Sequence, residues 1–257
     1  MNIKKILALL LALVLVLSLA ACGGDAGNDT QKPDNSGNSA QQGGNGNPGN
    51  AGGETEAQQD DTQQIGNDYP VLKEITVEAL ANYPVAPEGD FLYDISDSGN
   101  GIRVHTYTGT NEIVVIPDTI DGKVVEQIAS YTFANESTVK AVVIPETVTA
   151  LNEVFINNVC VEVVVAKGVT KVEYAAFCNC AALNCIVLSD SLTTIGDSAF
   201  AACAELTELH IPATMTEMDE YAQAMAFFYC SKLTIYGEAG SFIETVCNEQ
   251  GIPFVAE

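Results

Sequence analysis

The second half of this 257-residue chain repeats a segment of roughly 23 residues, a period typical of solenoids. The segment that starts at Ala141 (AVVIPETVTAL) returns at Ile186 (IVLSDSLTTIGDSAF) and again at Leu209 (LHIPATMTEM). Equivalent apolar positions, spaced by 28, 21, 23 and 23 residues, fall at Ile116, Ile144, Val165, Leu188 and Ile211. A fixed period in this range predicts a solenoid in which each unit buries its apolar edge against its neighbours. Such proteins usually present a long surface, so the period favours binding over catalysis.

One unit, from Leu183 to Leu206, shows how a coil is built. Ile186 and Leu188 alternate with their neighbours as in a short strand, and Gly196-Asp197 turns the chain. Phe200 is expected to pack beneath the sheet. Each unit supplies about seven inward apolar side chains, each contributing roughly 1.5–3 kcal/mol when fully buried.

The pattern resembles the leucine-rich repeat of the BspA-like, or Treponema pallidum, type. That signature runs I-P-x-x-V-T-x-I-G-x-x-A-F-x-x-C-x-x-L, and residues 188–206 match it best, with weaker copies from Ile144 and Val165. The first unit, from Ile116, carries the Asp121-Gly122 turn that is often seen in the first repeat of the family. The resemblance implies a mostly β solenoid with short irregular or helical convex segments, of about five units over residues 111–236.

Caps are expected at both ends of the solenoid. Residues 91–95 and 102–107 flank a Ser-Gly-Asn-Gly turn, which predicts a hairpin within an N-terminal flank of residues 67–110. In residues 237–257, Ser241 and Glu244 form a capping box for a helix that ends near Gly251, followed by a closing strand. About four extra residues within 221–226 predict a bulge on the convex side, which is either a contact loop or a tolerated insertion.

The N-terminus has the features of a targeting segment. Lys4 and Lys5 precede an apolar run, and Leu19-Ala20-Ala21-Cys22 resembles a bacterial lipobox. The prediction is a signal peptide over residues 1–21, lipidation of Cys22, and an extracytoplasmic, surface-exposed protein anchored to the cell membrane. An uncleaved membrane anchor is the alternative, since the run is nearly long enough to span a bilayer. Residues 22–66, rich in Gly, Asn and Gln, predict a disordered tether.

The net charge of the chain limits which classes of molecule it can bind. The formal net charge is −24, and 27 of the 34 acidic residues lie in residues 67–257. Such an excess of negative charge repels nucleic acid and argues against polyanionic partners, although it also serves solubility outside the cell. No Asp-rich calcium loop is found in the sequence.

Cysteine and histidine give little support for catalysis or for a metal or cofactor site. Cys180, Cys203 and Cys230 each follow a Phe by three residues, which predicts a stacked interior column of small apolar thiols. Disulfides remain open because the chain carries an export signal, and zinc remains open because of Cys178-Asn179-Cys180. Neither His105 nor His210 lies in a hydrolase or metalloprotease motif, and no catalytic residue is predicted.

A candidate binding face follows from the alternation along the strands. If Val163 and Val165 point inward like Ile144, the residues between them point outward and stack about 5 Å apart. The outward set is Val115, Val143, Val164, Val187 and His210, with Glu162 and Glu208 beside it. We refer to the four valines as the valine ribbon. An exposed apolar ribbon often marks a protein-binding surface, although Val also simply favours strands.

The resemblance implies recognition of proteins, through adhesion to host, neighbouring-cell or extracellular-matrix proteins. An envelope scaffold or accessory lipoprotein that binds the cell's own surface components is the alternative. A solute-binding transport subunit is disfavoured because a solenoid lacks a two-lobed cleft, and an enzyme is disfavoured because no perturbed titratable cluster is evident.

Overall fold

The repeating units form the turns of a mostly β solenoid. The computed structural model describes residues 69–257 apart from positions 71, 73 and 135, so the predicted signal peptide, Cys22 and tether lie outside the described residues. The strands, in chain order, are β1 (Phe91–Ile95), β2 (Ile102–Tyr107), β3 (Ile113–Val115), β4 (Thr119–Ile120), β5 (Lys123–Ile128), β6 (Ala141–Val143), β7 (Ala150–Leu151), β8 (Val163–Ala166), β9 (Lys171–Val172), β10 (Cys185–Leu188), β11 (Thr194–Ile195), β12 (Glu208–His210), β13 (Thr234–Gly237) and β14 (Phe254–Ala256).

The helices within residues 69–257 are few and short. They are α1 (Val77–Leu80), α2 (Glu220–Met225) and α3 (Phe242–Gln250), with a 3-10 turn at Glu88–Asp90. Within the described part of the chain, none has the length and apolar content needed to cross a membrane.

Parallel strands from successive coils form one long strand face. β3, β6, β8 and β10 make a four-stranded parallel sheet, and β12, β13 and β14 make a second one. These seven strands stand one per coil. On the side that faces the core, Val114, Val142, Val164 and Ile186 lie in register. All four belong to the main apolar core.

A column of phenylalanines runs through the middle of the solenoid. Consecutive ring centroids lie 5.2, 5.1, 5.3 and 6.0 Å apart, with interplanar angles of 11° or less, along Phe133, Phe155, Phe177, Phe200 and Phe227. The first four side chains are fully buried. The column arises because each coil places a Phe at the same point and neighbouring coils pack in register.

The predicted thiol column lies beside the rings. The Sγ of Cys180, Cys203 and Cys230 each donates a hydrogen bond to the carbonyl oxygen of the Phe one coil earlier, at 3.1, 3.1 and 2.9 Å. In the unit that starts at Ile144, Asn158 replaces the cysteine, and its Nδ2 donates to the carbonyl of Phe133 at 2.7 Å. The cysteines therefore fill the core and also satisfy a buried carbonyl in each coil.

Left-handed backbone lies on both sides of the Phe in the coils of Phe155, Phe177 and Phe200, and on one described side of Phe133 and Phe227. Two residues before the Phe, φ is positive at Tyr131, Glu153, Ala175 and Ser198. Two residues after it, φ is positive at Asn157, Asn179, Ala202 and Tyr229. These positions make the tight bends of the convex side, where main-chain hydrogen bonds such as Phe155 N–H to Ala176 O at 2.9 Å join neighbouring coils.

A third parallel sheet, which is shorter, consists of β7, β9 and β11 and lies on another side of the coils. Gly196 follows β11, and a Cβ at this position would lie 2.8 Å from the backbone carbon of Glu173 in the preceding coil. The close approach of two coils explains the glycine in the repeat signature.

The N-terminal cap contains the predicted hairpin. β1 and β2 pair antiparallel, and β2 also pairs with β5. Asp121 and Gly122 both have positive φ and turn the chain between β4 and β5. On the exposed surface of the hairpin, the guanidinium of Arg103 contacts Asp94 at 2.8 Å and Asp97 at 3.0 Å.

The C-terminal cap has the predicted helix and strand, but its capping differs from the prediction. α3 ends at Gly251, which has φ of 71°, and β14 pairs with β13. The Ser241 hydroxyl makes no cap hydrogen bond within the described structure. Glu244 instead accepts from the Gly240 N–H at 2.6 Å. Only the glutamate's hydrogen bond of the capping box therefore forms, and its donor is the amide one residue before Ser241.

The insertion predicted as a bulge is helical. Asp219 caps α2 by accepting from the Ala222 N–H at 2.8 Å, and Ala222 and Met225 are buried. The extra residues therefore form a short amphipathic helical turn that packs onto the core, and Phe227, which follows it, is the next ring of the phenylalanine column.

Candidate protein-binding face

The strand face carries an apolar row, but one of its predicted members is wrong. The register aligns Val115, Val143, Val165 and Val187 on the outward side. Val164 is fully buried in the main core, between Val142 and Ile186. Ala166, rather than Val165, is the equivalent of Leu188. A shift of one residue exchanges the two faces of a strand, and the run of three valines in β8 provides no alternation from which to detect it.

Strands β3, β6, β8 and β10 also carry a second row of outward side chains. Ile113, Ala141 and Val163 lie in register there and continue to Cys185. Across β3, β6, β8 and β10, every outward position is therefore apolar. We call this surface the apolar strand face.

The apolar strand face is covered rather than exposed. Residues before the hairpin pack across it, and together they form an apolar cluster separate from the main core. We call this covering segment, which comprises residues 74–86 with Tyr69, Pro70 and Leu72, the strap. Leu80 in α1 is its anchor and is 2% exposed, while Val143 and Val187 beneath it are half-buried. The prediction of an exposed ribbon at these strands is therefore wrong, because it left out the N-terminal flank.

The strand face is open from β12 onward. His210 lies in register with Tyr236, and Tyr236 with Val255. The rings of His210 and Tyr236 stack, with centroids 4.8 Å apart and an interplanar angle of 17°. The Nδ1 of His210 lies 3.2 Å from Oε2 of Glu257. We call His210 and Tyr236 the aromatic pair.

A shallow groove of about 410 Å³ lies beside the aromatic pair. Val187, Asp190 and Glu238 contribute to its lining, together with Glu257. The groove combines an aromatic surface with three carboxylates. Such a site suits a protein surface that presents an apolar or basic side chain.

The two glutamates predicted beside the ribbon lie in different places. Glu208 is the first residue of β12 and is exposed on the strand face, in register with Thr234. Glu162 precedes β8 and lies near Lys140, whose pKa is raised first by its ion pair with Glu112 at 2.9 Å and then by the charge of Glu162. Glu208 therefore lies on the open part of the strand face, whereas Glu162 lies just before β8 and near Lys140.

The thiols of Cys178, Cys180 and Cys185 are poor nucleophiles. Burial raises the pKa of Cys178 to about 11 and also raises the pKa of Cys180. On the strand face, burial together with the charges of Glu208 and Glu78 raises the pKa of Cys185. These thiols are therefore protonated at neutral pH, as expected of apolar packing groups.

Comparison with known proteins agrees with the repeat geometry. A model of the BspA type leucine rich repeat region matches residues 106–236 in six copies, compared with the five or so units expected from the sequence. Among solved structures, the Treponema pallidum leucine rich repeat protein TpLRR is 26% identical with a TM-score of 0.55, and the alignment covers 60% of this chain and 71% of that one. A leucine-rich repeat protein from Bacteroides ovatus is 22% identical with a TM-score of 0.47, covering 60% and 47%. A search of curated proteins finds no match.

The family match extends over more than half of the chain and coincides with the coils of the solenoid. Repeats of this kind form protein-interaction modules and are typically not enzymes. This chain belongs to the BspA type leucine rich repeat family.

Proposed function

We propose that this chain is a lipid-anchored protein of the cell surface that binds other proteins through the open part of its strand face. Its role would be adhesion to host, neighbouring-cell or matrix proteins. The observation that carries the proposal is the aromatic pair, which is stacked and solvent-accessible beside a groove, in a family of interaction modules.

The aromatic pair has the physical features of a binding hot spot. The His210 side chain is 60% exposed although it lies in a regular parallel sheet, so its ring is available to a partner. Stacking on Tyr236 and the contact with Glu257 hold the ring in place, which lowers the entropy lost when a partner binds. Aromatic side chains are enriched among residues that dominate binding energy.

Charge supports a protein partner with a basic patch. Asp190, Glu238 and Glu257 line the groove, and the chain as a whole has a formal net charge of −24. Complementary charge speeds association and disfavours acidic partners, including nucleic acid.

The lipid anchor is proposed from the sequence. Leu19-Ala20-Ala21-Cys22 follows an apolar run and precedes a polar segment, as in bacterial lipoproteins. Metabolic labelling with a fatty acid in a bacterial host should modify the wild-type chain but not Cys22→Ala. Equal labelling of both would contradict the anchor.

The binding proposal is tested with a panel of matrix proteins, host cells and bacterial envelope fractions. Full-chain protein is compared with the double variant His210→Ala, Tyr236→Ala and with the control Tyr221→Ala, whose ring is 62% exposed on α2 away from the groove. We expect saturable binding to host or matrix material, with Kd raised roughly tenfold or more in the double variant and unchanged in the control.

Two results would count against this function. Binding that the double variant retains in full would remove the aromatic pair from the interface. Saturable binding only to the bacterium's own envelope would replace adhesion with the scaffold function.

A further inference from the structure

The strap and the apolar strand face match in extent. All eight outward positions of β3, β6, β8 and β10 are apolar, whereas the corresponding positions in β12 are Glu208 and His210. The apolar cluster that the strap forms with this face reaches Cys185 and Val187 of β10. The outward positions are therefore apolar on the four strands that the strap contacts and polar on β12.

The strap is attached mainly by side chains. Among the described residues, its main-chain hydrogen bond to the sheet runs from the Ala86 N–H to Val115 O, at 2.9 Å, where the strap ends. Its other hydrogen bonds are internal, such as Leu80 N–H to Thr76 O at 3.0 Å and Tyr83 Oη–H to Pro70 O at 3.1 Å. A segment held by few main-chain bonds can open without unfolding the coils beneath it.

The strap has the features of a bound peptide. One short helical turn directs Leu80 into the sheet, and Leu72, Ile75, Val77 and Tyr83 pack around it as half-buried contacts. Thr76 caps the turn by accepting from the Ala79 N–H at 3.2 Å. An amphipathic turn laid into an apolar groove is a common mode of peptide recognition.

We propose that the apolar strand face is a second protein-binding surface, specific for a short apolar segment of another protein, and that the strap occupies it and competes with that segment. This inference rests on the proposed binding function and extends it. Partner binding at this face requires the strap to be displaced, so the apparent affinity equals the intrinsic affinity multiplied by the fraction of molecules in which the strap is open.

Cys185 provides a native reporter of strap opening. Its thiol lies on the covered face, packed against the strap cluster, whereas Cys203 lies fully buried in the main core. Alkylation of each thiol in the wild-type full chain is followed by mass spectrometry at increasing urea. If the strap opens locally, modification of Cys185 is nearly independent of low urea, while modification of Cys203 rises with global unfolding. An identical urea dependence at both thiols overturns the proposal.

The binding surface is tested with a fluorescent peptide that corresponds to residues 69–86. Leu80→Asp in the full chain should open the strap and raise the Cys185 alkylation rate roughly tenfold or more, because an ionised carboxylate is strongly disfavoured in an apolar cluster. The matched control is Val85→Asp, since Val85 is in the strap but 55% exposed and outside the cluster. The peptide should bind saturably to Leu80→Asp, and at least about tenfold more weakly to wild type and to the control, where the tethered strap competes.

The outcomes separate this proposal from the proposed function. A peptide that fails to bind Leu80→Asp, while Cys203 remains protected, overturns the second surface without affecting the aromatic pair. Concentration-dependent dimerisation of Leu80→Asp would assign the uncovered face to the same face of a second copy and also overturn the proposal. Saturable binding that is lost when the peptide itself carries Leu80→Asp supports it, whatever the result for His210→Ala, Tyr236→Ala.

Discussion

The phenylalanine column makes a quantitative prediction about stability. Phe177 is fully buried and stacks on Phe155 at 5.1 Å and on Phe200 at 5.3 Å. Phe177→Leu keeps an apolar side chain but removes both stacked pairs. Each aromatic pair contributes about 0.5–1.5 kcal/mol beyond area burial. With about 1 kcal/mol for the lost volume, the free energy of unfolding should fall by about 2–4 kcal/mol.

Phe227 at the end of the column provides the matched control. Among the described residues its ring stacks on Phe200 alone, at 6.0 Å, so Phe227→Leu removes one pair instead of two. The free energy of unfolding should therefore fall by about 0.5–1.5 kcal/mol less than for Phe177→Leu. Urea unfolding followed by circular dichroism measures both values, provided that the slope with denaturant is unchanged.

Double variants separate stacking from burial. Phe155 and Phe177 are neighbours in the column, so their Leu double variant should cost less than the sum of the singles by about 0.5–1.5 kcal/mol. Phe155 and Phe200 are separated by one ring, and their costs should add within about 0.5 kcal/mol. Equal additivity in both cycles would refute the idea that ring stacking, as opposed to burial, couples the coils.

Two further predictions concern the strand face and the convex bends. Val164→Glu places a carboxylate in the main core and should reduce the free energy of unfolding by about 4 kcal/mol or more. Val187→Glu, on the half-buried outward row, should reduce it by about 1 kcal/mol. Similar urea midpoints for the two variants would contradict the register of β8. Ala202 has a φ of 61°, and Asn157 and Asn179 occupy the equivalent bends of earlier coils. Ala202→Asn should therefore raise the melting temperature, with a gain of about 0.5–1 kcal/mol, while the β-branched Ala202→Val should lower it.

The sequence predicts the interior of the coils well because interior positions repeat. The Phe and Cys that recur three residues apart locate both columns, and the hydrogen bonds from Cys180, Cys203 and Cys230 confirm that these thiols lie inside. The carbonyl that each thiol satisfies belongs to the neighbouring coil, so this contact follows only from how the coils stack.

The strand face was harder to predict, for two physical reasons. In β8 three consecutive valines carry no alternation, so the position of Val164 depends on its pairing with Val142 and Ile186. The strap cannot be inferred from periodicity, since Leu80 and its neighbours lie outside the repeat and meet the sheet only after the chain has folded back.

The return of the same apolar positions, separated by turn residues, was enough to predict the solenoid and its caps, although it predicted about five units where seven strands stand one per coil. Which strand residues face outward is known only from the folded chain. The fold also shows that the strap covers the outward residues of β3, β6, β8 and β10, whereas His210 and Tyr236 stay open. The reason is that burial on this face depends on the strand register and on contacts between residues far apart in the chain, neither of which the repeat encodes.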